Sequence, residues 1–338
     1  MSESRAAAGD GPVLEHGAGA TEAMAGTATG LTERRLRWHA YLRMGRTIRY
    51  ENWLCTPLWW CAVPAAVAFK TTTLLLVPLT LLIYMSLMAA GGTLDDVQGY
   101  RDGSDRINYL RSDPTGLRPL TRKPLLLGWV TQDQALRYAT AMAVVAAAAL
   151  VTSWLVAGAR PLWWLPAYGV TLALASQYSF GLKLSYHGLQ EVLFGSVKAC
   201  TVLFPYVLAT GHLSSGVAVS SAVYGLWFLQ VLVCSNAHDI EGDRQARRRT
   251  IAVMASETAY RRFLVGLFAI SWLLPVIALV SGVWSPWLFI ATIPIGVVHA
   301  YQLYLIGYRR LPLQARAAGF WALRIGVLCL CIAYLGVR

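Results

Sequence analysis

The chain is 338 residues long, 56% of them hydrophobic and only 14% charged, with a formal net charge of +12. A soluble globular domain carries about 25% charged residues, so this composition excludes an ordinary soluble fold. Basic chains can bind nucleic acid, but here the cations are gathered between long apolar runs, which fits a bilayer with one basic face and no nucleic-acid partner.

Residues 1–33 are rich in Gly, Ala, Ser and Thr with no periodic apolar pattern, and are expected to form a disordered tail ahead of one membrane domain over 34–338. They lack the apolar core and cleavage pattern of a secretory signal. The basic, aromatic segment from Leu36 to Asn52 suits a short interfacial helix that anchors topology. Taking about 20 apolar residues per crossing, the pattern predicts an all-α polytopic membrane protein with nine transmembrane helices. They fall at 53–70, 72–92, 136–158, 161–180, 191–211, 217–235, 262–282, 286–307 and 317–336. Pro57, Pro64 and Pro78 are placed to kink the first two, and the Ala-rich third suits close packing.

Arginine and lysine are concentrated on the N-terminal side of these crossings, leaving little beyond Lys70, Arg160 and Arg338 on the other. The positive-inside rule puts the N-terminus and the acidic connections in the cytoplasm, in a protein expected at the cell membrane. Cys55, Cys61, Cys200, Cys234, Cys329 and Cys331 all lie in apolar spans without zinc-ligand spacing, as small buried residues do. No GxGxxG segment signals a redox dinucleotide.

Two acidic stretches interrupt the apolar pattern on that basic side. GGTLDDVQGYRDGSD carries Asp95, Asp96, Asp102 and Asp105; NAHDIEGDR carries Asn236, Asp239 and Asp243. The latter three are spaced i, i+3, i+7 and share one helical face, and Asp95 and Asp102 repeat the seven-residue spacing. Two such faces that meet can hold divalent cations. A third polar connection, Tyr178 to Gly195, brings Lys183, His187 and Glu191 to the same side.

These stretches resemble the UbiA superfamily of intramembrane prenyltransferases, in the family's order along nearly the whole span region. Asn236, Asp239 and Asp243, followed by Arg244, resemble the second motif, DxxDxxxD, with Asn in its first place. Lys123, Pro124, Leu125 and Gly128 resemble the Arg-Pro-Leu-x-x-Gly segment after the first motif, and Tyr178, Ser179 and Lys183 the Tyr-Ser and basic residue after helix four. The first motif departs from the family form NxxxDxxxD: Asp95 and Asp96 open it, Gly99 stands where the middle Asp belongs, and Asp102, Gly103 and Asp105 follow.

The resemblance implies a helical bundle around a central cavity closed by Asp-rich loops, with Mg2+ as cofactor and an isoprenyl diphosphate as substrate. Mg2+ prefers hard oxygen ligands shared with substrate phosphates. Asp95, Asp96, Asp102, Asn236, Asp239 and Asp243 are the candidate metal ligands, the five aspartates among them being the candidate catalytic residues. Lys123, Lys183, Arg244, Arg122, Arg101 and Tyr178 are the candidate diphosphate contacts. Asp113 and Asp133 suit turn or helix starts, Arg247 to Arg249 and Arg309 to Arg310 suit orientation signals, and His238 lies off the Asn236 face. Glu191, His187, Lys198, His299 and Arg324 stand out as polar groups within or at the ends of spans, where charge is costly. Three activities fit: prenyl transfer to an acceptor such as an aromatic ring or quinone precursor, cyclisation of the donor without an acceptor, or a non-enzymatic carrier.

Overall fold

The structure, a computed structural model, describes residues 33–46, 50–110 and 115–337, and all regular structure among them is helical. The tail expected at 1–33 lies outside the described residues apart from the backbone of Glu33, as does Asp113. In chain order the helices are α1 (Glu33–Met44), α2 (Cys55–Ala62), α3 (Ala65–Ala68), α4 (Thr71–Arg101), α5 (Ser104–Leu110), α6 (Gln132–Val156), α7 (Trp164–Ser176) and α8 (Gln190–Thr210). They continue with α9 (Ser215–Gln245), α10 (Ile251–Met254), α11 (Glu257–Val280), α12 (Pro286–Ile290), α13 (Ile293–Gly307) and α14 (Pro312–Gly336).

Among the described residues, seven helical segments are long and apolar enough to cross a membrane: α4, α6, α8, α9, α11, α12 with α13, and α14. The chain is an integral membrane protein. The count of nine is not reproduced, for local reasons. The crossing expected at 53–70 is interrupted at Pro64, which lacks an N–H and pushes Val63 into extended backbone (ψ 133°), so it divides into α2 and α3. The one expected at 161–180 is regular over only the 13 residues of α7, a rise of about 20 Å against the roughly 30 Å of a hydrocarbon core.

The acidic stretches are not loops. Helix α4 runs on through Asp95 and Asp96 to Arg101, and α9 through Asp239 and Asp243 to Gln245, each 31 residues long. Both therefore carry their carboxylates past the apolar section of the same helix. Helix α9 is the central element, packed on α8, α14, α11 and α5, while α4 pairs with α6. Small residues set the closest approach: a Cβ on Gly225 of α9 would lie 2.4 Å from the Gly195 carbonyl oxygen of α8. Helix starts follow the capping chemistry of the sequence. Thr131 forms a reciprocal capping box with Gln134, and Thr250 and Ser256 accept from the amides of Val253 and Ala259.

The segment read as an interfacial anchor has a second task. Ala40 and Met44 of α1 are buried against Val97, Leu125, Val130 and Ala135, so α1 lies over the acidic end of α4 rather than apart from it.

Candidate active site

The ends of α4 and α9 meet in a chamber where Asp95, Asp96, Asp102, Asp105 and Asp239 already have a cation beside them. Asp95 accepts from Arg46 at 2.8 Å, Arg248 at 3.2 Å and the Ser179 hydroxyl at 2.7 Å. Asp96, 3% exposed, accepts from Lys123 Nζ at 2.7 Å, and the same ammonium reaches Asp105 at 2.7 Å. Asp102 accepts from the Tyr186 hydroxyl and stands 3.9 Å from Arg248. Asp239 is held in a two-pronged pair by Arg118, one arm at 2.7 Å. Arg248 joins the two halves: it follows α9 in sequence and binds Asp95 of α4.

Electrostatics follow from this crowding. Burial lifts the Asp105 carboxyl to about 6, against the pull of Lys123 and with the repulsion of Asp96. Burial also raises the Tyr109 phenol, but Arg122, Arg118 and Lys123 outweigh it and bring it down to about 7. The Tyr109 ring lies under the Arg118 guanidinium at 4.4 Å and the Lys123 ammonium at 5.1 Å. For Asp102, burial is outweighed by hydrogen bonds from Tyr186 and Ser104, and its carboxyl is held low.

Two cavities share Arg46. One, about 220 Å³, is lined by Arg43, Arg46, Arg122, Lys123, Asp96 and Tyr109, and is strongly cationic. Arg122 Nη1 and Arg43 Nε are buried there without a protein partner among the described residues, which marks a place for an anion. The other, about 100 Å³, starts at Asp95 and Tyr178 and descends past Gly91, Met88 and Phe194 to Lys198. It is apolar until Lys198, whose ammonium meets Tyr84 Oη, Asn52 Oδ1 at 3.3 Å and the face of Phe228 at 4.1 Å. Polar head and apolar tail spaces therefore adjoin at Asp95 and Arg46.

Of the expected residues, the structure gathers Asp95, Asp96, Asp102, Asp239, Asp243, Lys123, Arg122 and Tyr178 around this chamber. Asp243 is buried within electrostatic reach of Arg248 and Asp95. Asn236 turns aside: it accepts from Gln190 and donates to Glu191, both at 3.0 Å, and so ties α9 to the start of α8. Arg244 is exposed, pairs with Glu241 and lines a different cavity, because it lies roughly 100° round α9 from Asp243. Arg101 donates to Gln132, and the Lys183 ammonium stands over the Tyr186 ring at 5.4 Å; neither meets a carboxylate among the described residues.

Sequence reasoning missed Arg46, Arg118 and Arg248, and placed Asp105 in the first motif without counting it among the site residues. Arg46 and Arg248 were read as orientation charges, and only burial beside a carboxylate separates them from their neighbours.

The donor set fits a hard divalent cation in kind, since Asp95, Asp96, Asp102, Asp105, Asp239 and Asp243 offer only oxygen. No three His, Cys, Asp or Glu side chains converge on a ready-made metal point among the described residues. Mg2+ needs none, being commonly held by one or two carboxylates together with substrate phosphates.

A family model described as the UbiA prenyltransferase family matches residues 53–324. The chain belongs to the UbiA prenyltransferase family. A curated relative, a 1,4-dihydroxy-2-naphthoate octaprenyltransferase of Bacillus subtilis, is 26% identical over 131 residues, which cover 38% of this chain and 42% of that protein. The chain thus matches less than half the length of that relative. Solved UbiA homologues share the fold. One from Aeropyrum pernix has a TM-score of 0.59 at 16% identity, covering 86% of this chain and 97% of its own. Another, from Archaeoglobus fulgidus bound to GPP and Mg2+, has a TM-score of 0.58 at 14% identity, covering 86% and 99%.

Proposed function

We propose that the chain is a Mg2+-dependent prenyltransferase that ionises an isoprenyl diphosphate in this chamber and passes the prenyl group to an acceptor, an aromatic ring or quinone precursor. One observation carries the reading: a chamber of paired carboxylates and bases adjoins an apolar cavity at Asp95 and Arg46, matching the charged head and apolar tail of the donor. The Lys and Arg distribution supports a cytoplasmic placement of the chamber in the cell membrane.

On binding, Arg46, Lys123, Arg118 and Arg248 exchange their carboxylates for phosphate oxygens, and the freed Asp95, Asp96, Asp102 and Asp239, together with Asp243, become available to the cation. Mg2+ held by those carboxylates would supply positive charge that neutralises the phosphates. The allylic carbon–oxygen bond breaks with both electrons going to the pyrophosphate oxygen. The basic side chains facing that oxygen stabilise the charge as it forms, so they lower the barrier rather than merely hold substrate. The allylic cation is left facing the apolar cavity, where water is excluded. An electron-rich acceptor carbon then bonds to it and releases a proton to the departing pyrophosphate.

A second reading, cyclisation without an acceptor, rests on Asn236, which removes one carboxylate from the second motif, and on the aromatic faces of Phe194 and Phe228 around the cavity's end. Membranes containing the chain, given Mg2+ and labelled C10, C15 and C20 diphosphates with and without phenolic acceptors, separate the two. Acceptor-dependent release of pyrophosphate with a prenylated product is expected. A cyclic hydrocarbon or alcohol as main product would overturn transfer, and no turnover of any donor would overturn both.

A further inference from the structure

At the same end of the bundle as Asp239 and Asp243, α9, α11 and the turn from α13 to α14 enclose a third cavity, about 400 Å³, that no step of the proposed reaction uses. Its size is that of an ordinary ligand pocket, about 300–1,000 Å³. The floor is apolar, formed by Ala237 and Ile240 of α9, Leu264 of α11 and Ile306 of α13. The rim is cationic: Arg244, Arg261 and Arg310 line it, with Glu257 as the one carboxylate among them.

Helix ends build this shape. Tyr260 donates to the Val233 carbonyl at 2.6 Å and holds the start of α11 against α9, and Leu264, one turn further on, faces the same cavity. Between α13 and α14, Arg310 takes φ +56°, uncommon for a residue with a side chain, and its guanidinium reaches Glu257 at 2.6 Å. Arg261 reaches the same carboxylate oxygen at 3.1 Å, so one negative charge is shared between two cations; Arg244 adds a third, 3.6 Å from Glu241. All of these groups are exposed, and exposed ion pairs are weak, so a phosphate can take the arginines from Glu257 at little cost. Tyrosines mark the depth. Tyr301, Tyr304 and Tyr308 are exposed along the end of α13, with Tyr304 stacked on Tyr308, as aromatic side chains are at the headgroup level of a bilayer.

We propose that this cavity binds the headgroup of one anionic phospholipid, its phosphate between Arg261 and Arg310 and the start of its acyl chains on Ile240, Leu264 and Ile306. A free phosphate would satisfy the arginines but leave the apolar floor in water; a lipid at this depth covers both. The bound lipid touches α9, α11 and α13 together, and so braces from outside the chamber the helix that carries Asp239 and Asp243.

The full chain, purified in a non-ionic detergent, is titrated with short-chain phosphatidylglycerol or with phosphatidylcholine of the same chains. Bound lipids are counted by native mass spectrometry, and the unfolding temperature is read from tryptophan fluorescence. One phosphatidylglycerol is expected to bind about tenfold more tightly than phosphatidylcholine and to raise the unfolding temperature. Arg261→Gln with Arg310→Gln is expected to weaken that binding by about 10- to 30-fold, and Glu257→Gln, which frees both guanidiniums, to tighten it by about threefold or more. Arg35→Gln with Arg137→Gln removes the same charge from exposed positions elsewhere and should change it by less than about threefold. Equal affinity for the two lipids, or unchanged binding when Arg261 and Arg310 are replaced, would overturn the assignment. An equal loss when Arg35 and Arg137 are replaced would overturn it too, by showing diffuse attraction to a basic face. So would displacement of the lipid by inorganic phosphate or pyrophosphate at equal concentration, which would make the site one for soluble anions. If the chain lacking Arg261 and Arg310 fails to fold, Glu257→Gln decides: binding no tighter than that of the unaltered chain overturns the assignment.

Discussion

Replacing Arg248 by Gln removes the guanidinium that joins the two acidic helices and leaves a shorter, neutral, polar side chain. Arg248 is 9% exposed, donates to Asp95 at 3.2 Å, accompanies the Tyr186 hydroxyl at the same distance, and lies 3.9 Å from Asp102. Asp95 keeps Arg46 and Ser179 in the variant, so one charge-assisted bond is lost and the carboxylate is not stranded. Such a bond contributes about 1.5–3 kcal/mol, and burial leaves little water to screen it. If Arg248 turns from Asp95 to the leaving pyrophosphate in the transition state, the loss appears in kcat/KM as roughly 10- to 100-fold, at about 1.4 kcal/mol per decade. Pyrophosphate release from a labelled donor at saturating Mg2+ measures it. Arg244→Gln is the control, because motif order alone favours Arg244 while the structure leaves it exposed at a separate cavity; it should stay within about twofold. Equal losses at both positions, or a larger one at Arg244, would refute the geometric argument.

Lys198→Met should raise the kcat/KM ratio of long over short donors by on the order of tenfold, by replacing the polar end of the tail cavity within the about 2.5–3.5 kcal/mol that a mid-bilayer charge costs; an unchanged ratio in a donor-length series would refute that placement. Tyr109 should ionise near pH 7, visible as an absorbance step at 295 nm that Tyr109→Phe abolishes. Since its folded value of about 7 lies below the usual 10, the folded state binds fewer protons between them, so its contribution to stability is complete above about pH 10 and is lost as pH falls through 7. Denaturation midpoints of the unaltered and Phe variants that run parallel from pH 7 to 10 would contradict this. Gly225→Ala should destabilise the α8–α9 contact by about 1–3 kcal/mol, because its methyl would press on the rigid Gly195 carbonyl; a thermal midpoint equal to that of the unaltered chain would show that the helices can part without cost.

The crossings at 72–92, 136–158, 191–211, 217–235, 262–282 and 317–336 were legible because a bilayer demands a long apolar run, and such a run is a local property. The same holds for Asp239 and Asp243, whose four-residue spacing places them on one face of α9. Pro64 shows the limit: the kink was foreseeable, but not that it would divide the first crossing, since that depends on whether neighbouring helices supply the missing hydrogen bond.

The sequence by itself determined that this is a membrane-embedded helical protein with two acidic faces on its basic side, because hydropathy, charge bias and helical period act over a few residues at a time. Only the tertiary structure decided which cation serves which carboxylate. Arg46 reaches Asp95 across 49 positions and Arg248 reaches it across 153, distances over which no periodicity operates. Nor could the sequence show that Asp105 fills the space above Gly99: the two are six residues apart, and they meet because the turn at Asp102 and Gly103 folds one helix back on another.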